Sequence, residues 1–157
     1  MLDYNNLEKY KEDNRIEAKQ AIGGLPESLW ESYSAFANAL GGVILLGVEE
    51  LKDKSLHAVE DISAPEKLIT EFWDIINDKE RVSTNILCDD DVQIKYVDGK
   101  IIIVINVPKA EDKDKPVYIG KDIYRGTYVR KGEGDCRCTP SEVKEMLDEL
   151  RKDKYIW

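Results

Sequence analysis

The sequence predicts an α+β fold, a single domain in which helices pack on a mixed or antiparallel sheet. Three observations carry this. Strand-like runs at 92–97 and 100–107 are joined by Asp98-Gly99, a favoured two-residue hairpin turn. The segment 26–40 repeats apolar residues at helical spacing and stops at Gly41-Gly42, where glycine accepts the left-handed conformation that ends helices. Thr139-Pro140-Ser141-Glu142 combines an N-cap hydroxyl, a first-turn proline and a capping-box glutamate, and so starts a last helix. Strands and helices do not alternate as a doubly wound sheet requires. A chain of 157 residues suits one domain, 1–157, with one core.

The elements follow in order. Residues 2–11 read as a short helix or coil, and 15–19 alternate like an edge strand. In the helix 26–40, Leu29, Tyr33, Phe36 and Leu40 form the stripe expected to be buried. The run 43–48 is a short, apolar central strand, and Gly47 near its end delivers Glu49 and Glu50 to the rim of the sheet. Residues 51–55 are a charged turn. A second helix runs from Pro65 to about residue 78, with Leu68, Phe72, Ile75 and Ile76 towards the core. Past the hairpin, short strands are expected around 117–119, 123–124 and 127–130, punctuated by glycines, with 132–135 as a flexible turn. The last helix presents Val143, Met146, Leu147 and Leu150.

Composition narrows the function classes. The apolar stretches 43–48 and 101–107 are too short to span a bilayer, and the charges at 8, 9, 11 and 12 interrupt any signal-peptide core. The reading is a cytoplasmic protein with no membrane partner. Three cysteines make no disulfide framework, and Cys136-x-Cys138 lacks zinc-site spacing, so no zinc is expected. No P-loop nucleotide site is present in the pattern. The net charge of −9 argues against a nucleic-acid partner, yet residues 115–137 hold six basic residues against three acidic ones. There Lys121, Arg125, Arg130 and Lys131 alternate with Tyr118, Tyr124 and Tyr128, a mixture suited to phosphate neutralisation and base stacking, or to an ordinary hairpin edge. Asn38, in the last turn of its helix, is placed to cap backbone carbonyls locally or to face a ligand.

Three motifs occur in fixed order: Glu12-x4-Glu17-x-Lys19; residues 34–43 leading to Gly47-Val48-Glu49-Glu50; and Tyr128-Val129-Arg130-Lys131-Gly132 before Ser141-Glu142-Val143. Together they resemble the AlbA-type domain of the Schlafen family, met also in bacterial and archaeal transcriptional regulators. The resemblance implies a nucleic-acid-binding module for RNA or DNA. By the pattern of the Schlafen ribonucleases, Glu12, Glu17 and Glu50 fall on the catalytic, metal-holding acids, with Mg²⁺ or Mn²⁺ as cofactor, in an endoribonuclease acting on structured RNA. The third acid is glutamate here where those ribonucleases have aspartate. Lys19 falls on a position that offsets charge or contacts phosphate, and Arg130 and Lys131 on the Tyr-x-Arg-x-Gly pattern. Vertebrate Schlafens pair two such lobes across a basic valley, which a homodimer of this single lobe would rebuild. The alternative is a non-catalytic DNA-binding module of a transcriptional regulator.

Overall fold

The computed structural model describes residues 2–59 and 61–153, with side chains described as far as residue 151. A four-stranded sheet organises the chain, in the order β1 (Ile16–Lys19), β2 (Gly42–Leu46), β6 (Lys100–Val107), β5 (Val92–Val97). Strand β1 runs parallel to β2 and the other pairs are antiparallel, so the sheet is mixed. The β5–β6 hairpin turns at Asp98-Gly99 as its residues dictate, with Val97 opposite Lys100.

Because strand side chains alternate between faces, β2 and β6 feed two cores. Ile44, Leu46, Ile103 and Ile105 meet helices α1 (Ser28–Ala37) and α2 (Pro65–Ile76) through Tyr33, Phe36, Phe72 and Ile76. Leu45, Ile102 and Val104 are covered on the opposite face by Leu7, from the 3-10 turn Tyr4–Lys9, and by the hairpin β3 (Val48–Glu50) and β4 (Leu56–Ala58). Strand β4 has no counterpart in the sequence reading. Gly47, at φ +88°, separates β2 from β3, so the single strand expected at 43–48 divides in two and Glu50 moves to a second sheet.

Helix α1 is buried along nearly its whole length, because the β7 (Tyr128–Lys131)–β8 (Gly134–Arg137) hairpin covers the side turned away from the sheet. Leu40 lies past its end and is 54% exposed, a correction to the expected stripe: the helix stops at Ala37 and the chain reverses before residue 40 can turn inward. The double glycine makes that reversal. Gly41 has φ +80°, and a Cβ on Gly42 would sit 2.5 Å from the Phe36 ring and 2.9 Å from the Arg15 carbonyl.

The Asn38 side chain does not cap the carbonyls of its own helix. Its amide donates to the carbonyls of Val117 (2.8 Å) and Tyr128 (2.9 Å) and accepts the Val117 N–H (2.8 Å), tying two later segments to α1. The strand expected at 123–124 is instead the one-turn helix α3 (Ile123–Gly126), capped by Asp122, whose carboxylate accepts the Tyr124 N–H. The turn expected at 132–135 partly belongs to β8. The capping box of α4 (Pro140–Asp153) forms as read: Glu142 accepts the Thr139 N–H at 2.9 Å, and the Thr139 hydroxyl accepts the Glu142 N–H at 3.1 Å. Among the described residues no helix is long and apolar enough to cross a membrane.

Candidate functional site

The strand β1 lies at the edge of the sheet, and its approach is a tight turn in which Asp13 N–H donates to the Ile16 carbonyl (3.1 Å) and Asp13 Oδ1 accepts the Arg15 N–H (2.7 Å). That turn folds Glu12 back along the strand, where its Oε2 accepts the Ala18 N–H at 2.9 Å. Ile16 and Ala18 face the Leu7 side of the sheet, so Glu17 and Lys19 look towards α1. The β3 strand brings Glu50 in from the opposite side. Glu12 therefore lies close to two other glutamates, Glu17 and Glu50.

Burial, then the hydrogen bond with Glu17, pushes the Glu12 carboxyl up to about 8 from the ordinary glutamate value of 4.5. Glu50 moves the other way: the hydrogen bond from Glu12 and the nearby Lys54 ammonium hold it below the usual range. The Glu50 Oε1 accepts from Lys54 Nζ at 3.2 Å, whereas its Oε2 is shielded from water and has no conventional donor. Of Glu12's two neighbours, Glu17 is the one that faces an arginine.

That arginine is Arg130, which the sequence pattern offered as a phosphate contact. The structure corrects this, because its side chain has no exposed surface. Nε and Nη2 donate to the Asp13 carbonyl (3.1 and 2.8 Å), Nη2 also to the Ile16 carbonyl (3.0 Å), and Nη1 to Glu17 Oε1 (3.3 Å) and Asp135 Oδ1 (2.7 Å). Its guanidinium lies 4.8 Å from the centre of the Phe36 ring. Asp135, opposite Arg130 on β8, also accepts from the Ser32 hydroxyl of α1. Every donor direction is taken by protein. Arg130 thus positions Glu17 and locks the β7–β8 hairpin onto β1 and α1.

This geometry meets an independent observation: the Schlafen, AlbA_2 family matches residues 12–139. The chain belongs to that family. Membership brings a nucleic-acid-related function with it. Among solved structures, the N-terminal domain of an ATP-dependent DNA helicase RecG-related protein from Nitrosomonas europaea is similar at 28% identity and a TM-score of 0.63, over 88% of this chain and 95% of that one. The DIP2311 protein from Corynebacterium diphtheriae shares the fold at 18% identity and a TM-score of 0.55, over 88% of this chain and 27% of that one. No curated protein matches the chain.

Within this AlbA_2 domain the remaining basic residues spread out. Lys19 Nζ donates to the Ser28 hydroxyl at the start of α1 (3.0 Å). Lys121 and Arg125 are highly exposed and pair with Glu80 (3.0 Å) and Asp122 (3.6 Å), not with the three glutamates. Lys131 pairs loosely with Glu142 at 3.7 Å. Of the interleaved tyrosines, Tyr128 is buried with Arg137 stacked over it, whereas Tyr124 is 43% exposed. Among the described residues no group of three or more His, Cys, Asp or Glu is arranged to hold a metal ion: the glutamates meet pairwise at Glu12, not at a common point. In kind, carboxylate oxygens suit a hard divalent cation, and Glu50 Oε2 is buried without a hydrogen-bond partner.

Sequence reasoning missed Lys54, Asp135 and Ser32. The Glu50-to-Lys54 spacing was visible but lay inside a charged turn. Asp135 was hidden in a glycine-rich stretch, where only the alternation of a second hairpin strand would have placed it opposite Arg130.

Proposed function

We propose that this domain binds nucleic acid in the cytoplasm and that Glu12, Glu17 and Glu50 form a divalent-cation centre cleaving phosphodiester bonds of structured RNA. The observation that carries this reading is the convergence of the three motif glutamates on Glu12, although they come from the approach to β1, from β1 itself and from the second sheet. Glu12, Glu17 and Glu50 would hold the ion, and Arg130 keeps Glu17 in place through Oε1. A bound Mg²⁺ or Mn²⁺ supplies an activated water and offsets charge on the phosphate. Lys19, Lys121, Arg125 and Lys131 are the candidate phosphate contacts that remain once Arg130 is set aside.

A second reading has its own support. Arg130 and Lys54 already neutralise Glu17 and Glu50, and Glu12 keeps a proton, so the centre is balanced as it stands. That favours a non-catalytic, DNA-binding module of a transcriptional regulator, and the similarity to a domain of a DNA helicase RecG-related protein points to the same polymer. Incubation of wild type and Glu17→Gln with tRNA, rRNA and DNA, with and without Mn²⁺, separates the two. Mn²⁺-dependent cleavage lost in Glu17→Gln supports the nuclease. Salt-sensitive binding without cleavage in either protein supports the binding module. A homodimer that rebuilds a two-lobed valley would show twice the chain mass in sedimentation.

A further inference from the structure

Arg130 and Lys54 each pair with a glutamate of the acidic centre, and Lys54 differs in how its backbone is held. It is the fourth residue of the five-residue loop 51–55 between β3 and β4. Its N–H donates to the Leu51 carbonyl (2.8 Å), and the Leu51 N–H donates to the Ser55 carbonyl (2.9 Å). This is a tight turn closed by a residue in the left-handed region, the place hairpins usually give to glycine. Lys54 occupies it at φ +73°. A non-glycine residue there is uncommon and strained, and persists where the surroundings or a function require it.

The surroundings do not require it for stability. The ion pair with Glu50 joins a side chain that is 58% exposed, and such pairs contribute little to folding. The loop is already fixed by Asp53, whose Oδ1 accepts from the Ser55 N–H (3.0 Å) and hydroxyl. What Lys54 does supply is an exposed positive charge at the rim, in a field set by Glu50, Glu133 and Glu12. A phosphodiester approaching those carboxylates meets repulsion unless a cation stands at the entrance. Among the described residues the ammonium has Glu50 as its hydrogen-bond partner, which leaves it donors to spare, and its flexible stem lets it swing without moving the hairpin.

We propose that Lys54 is a phosphate-contact residue of this centre, exchanging Glu50 Oε1 for a phosphodiester oxygen of bound nucleic acid. The assignment rests on the reading of the centre as a nucleic-acid site. Its chemistry implies substrates presenting an accessible backbone phosphate to the β3–β4 loop, and no base-specific recognition by this residue.

The left-handed backbone makes the test clean, because Lys54→Gly removes the amine while relieving the strain. Binding of a 2′-O-methyl RNA hairpin and of a DNA duplex is measured by fluorescence anisotropy across salt concentrations in Mn²⁺ buffer, alongside thermal unfolding. Lys54→Gly should unfold no lower than wild type, bind about three- to tenfold more weakly, and show a salt slope smaller by about one. Lys54→Arg should bind within about twofold of wild type, since the charge is kept. Wild-type affinity and slope in Lys54→Gly overturn the assignment, as does a Lys54→Arg protein as weak as the glycine variant. If wild type binds and Lys54→Gly does not differ, Lys54 alone is dismissed. If wild type itself shows no salt-dependent binding to either polymer, the reading of the centre falls, and Lys54 with it.

Discussion

Arg130 and Lys54 each neutralise one outer glutamate of the same trio, and they are built in opposite ways. Arg130 is buried, donates to two backbone carbonyls and two carboxylates, and lies on an aromatic ring. Lys54 is exposed and makes one ion pair from a loop tip. The difference separates two jobs that a sequence motif merges. A planar guanidinium with every donor used fixes geometry, whereas a point charge on a long stem is free to change partners. The basic residue best placed by the motif proves structural, and the one the motif ignores faces solvent.

The sharpest way to break this comparison is Arg130→Met. Removing the guanidinium leaves Glu17 and Asp135 partly buried without their cation, and the loss expected is roughly 3–5 kcal/mol in denaturant unfolding. A change below 1 kcal/mol would show that the buried hub is not what holds the hairpin to β1. Arg130→Lys should fall between, because an ammonium lacks the fork that reaches both backbone carbonyls and both acids.

Next in size is the pH response of Glu12. Its folded-state value is raised to about 8 from 4.5, so the folded protein holds this proton more tightly than the unfolded chain does. Stability therefore declines as pH rises from about 4.5 through about 8. Glu50 contributes with the opposite sign, through stability lost as pH falls through its lowered value. Unfolding of Glu12→Gln at pH 5, 6, 7 and 8 should be flatter than wild type across that window. An equally steep wild-type and variant response would place the buried proton elsewhere.

The smallest effects belong to the exposed cations. Lys54→Gly should leave the unfolding midpoint unchanged or raise it slightly, as relief of the left-handed lysine outweighs a weak ion pair. Lys131→Ala should stay within about 0.5 kcal/mol. A large loss from Lys54→Gly would recast it as a second structural hub and erase the contrast with Arg130.

How much of this could be read from the chain depends on how local each signal is. The Asp98-Gly99 hairpin, the Gly41-Gly42 reversal and the Thr139 capping box are set by neighbours in sequence, and all three formed as read. The order of elements left a mixed or an antiparallel sheet open, and the parallel β1–β2 pair makes it mixed. Strand β4 escaped because three residues carry too little periodicity, and α3 was read as a strand because four residues of mixed polarity do not distinguish the two. At the site, the motif named Glu12, Glu17 and Glu50, and the fold brings Glu12 against both others. Burial was the part that pattern did not reveal. Arg130 sits between a covering hairpin and a buried helix, and nothing in Tyr-x-Arg-x-Gly distinguishes a residue pointing into that seam from one pointing at solvent.

The hydrogen bonds that Glu12 and Arg130 make to β1 carry a last consequence. Strand β1 borders the sheet, and these two side chains occupy the Ala18 N–H and the Ile16 carbonyl that an edge would otherwise offer to another chain. The atoms assigned to chemistry are thus also a guard against misassembly. Alanine at Glu12 removes a carboxylate and uncovers a template for strand pairing in one step, so a variant that loses activity by clumping would pass for a catalytic knockout. Glutamine keeps an oxygen for the Ala18 N–H, and it is the substitution that keeps the two roles apart.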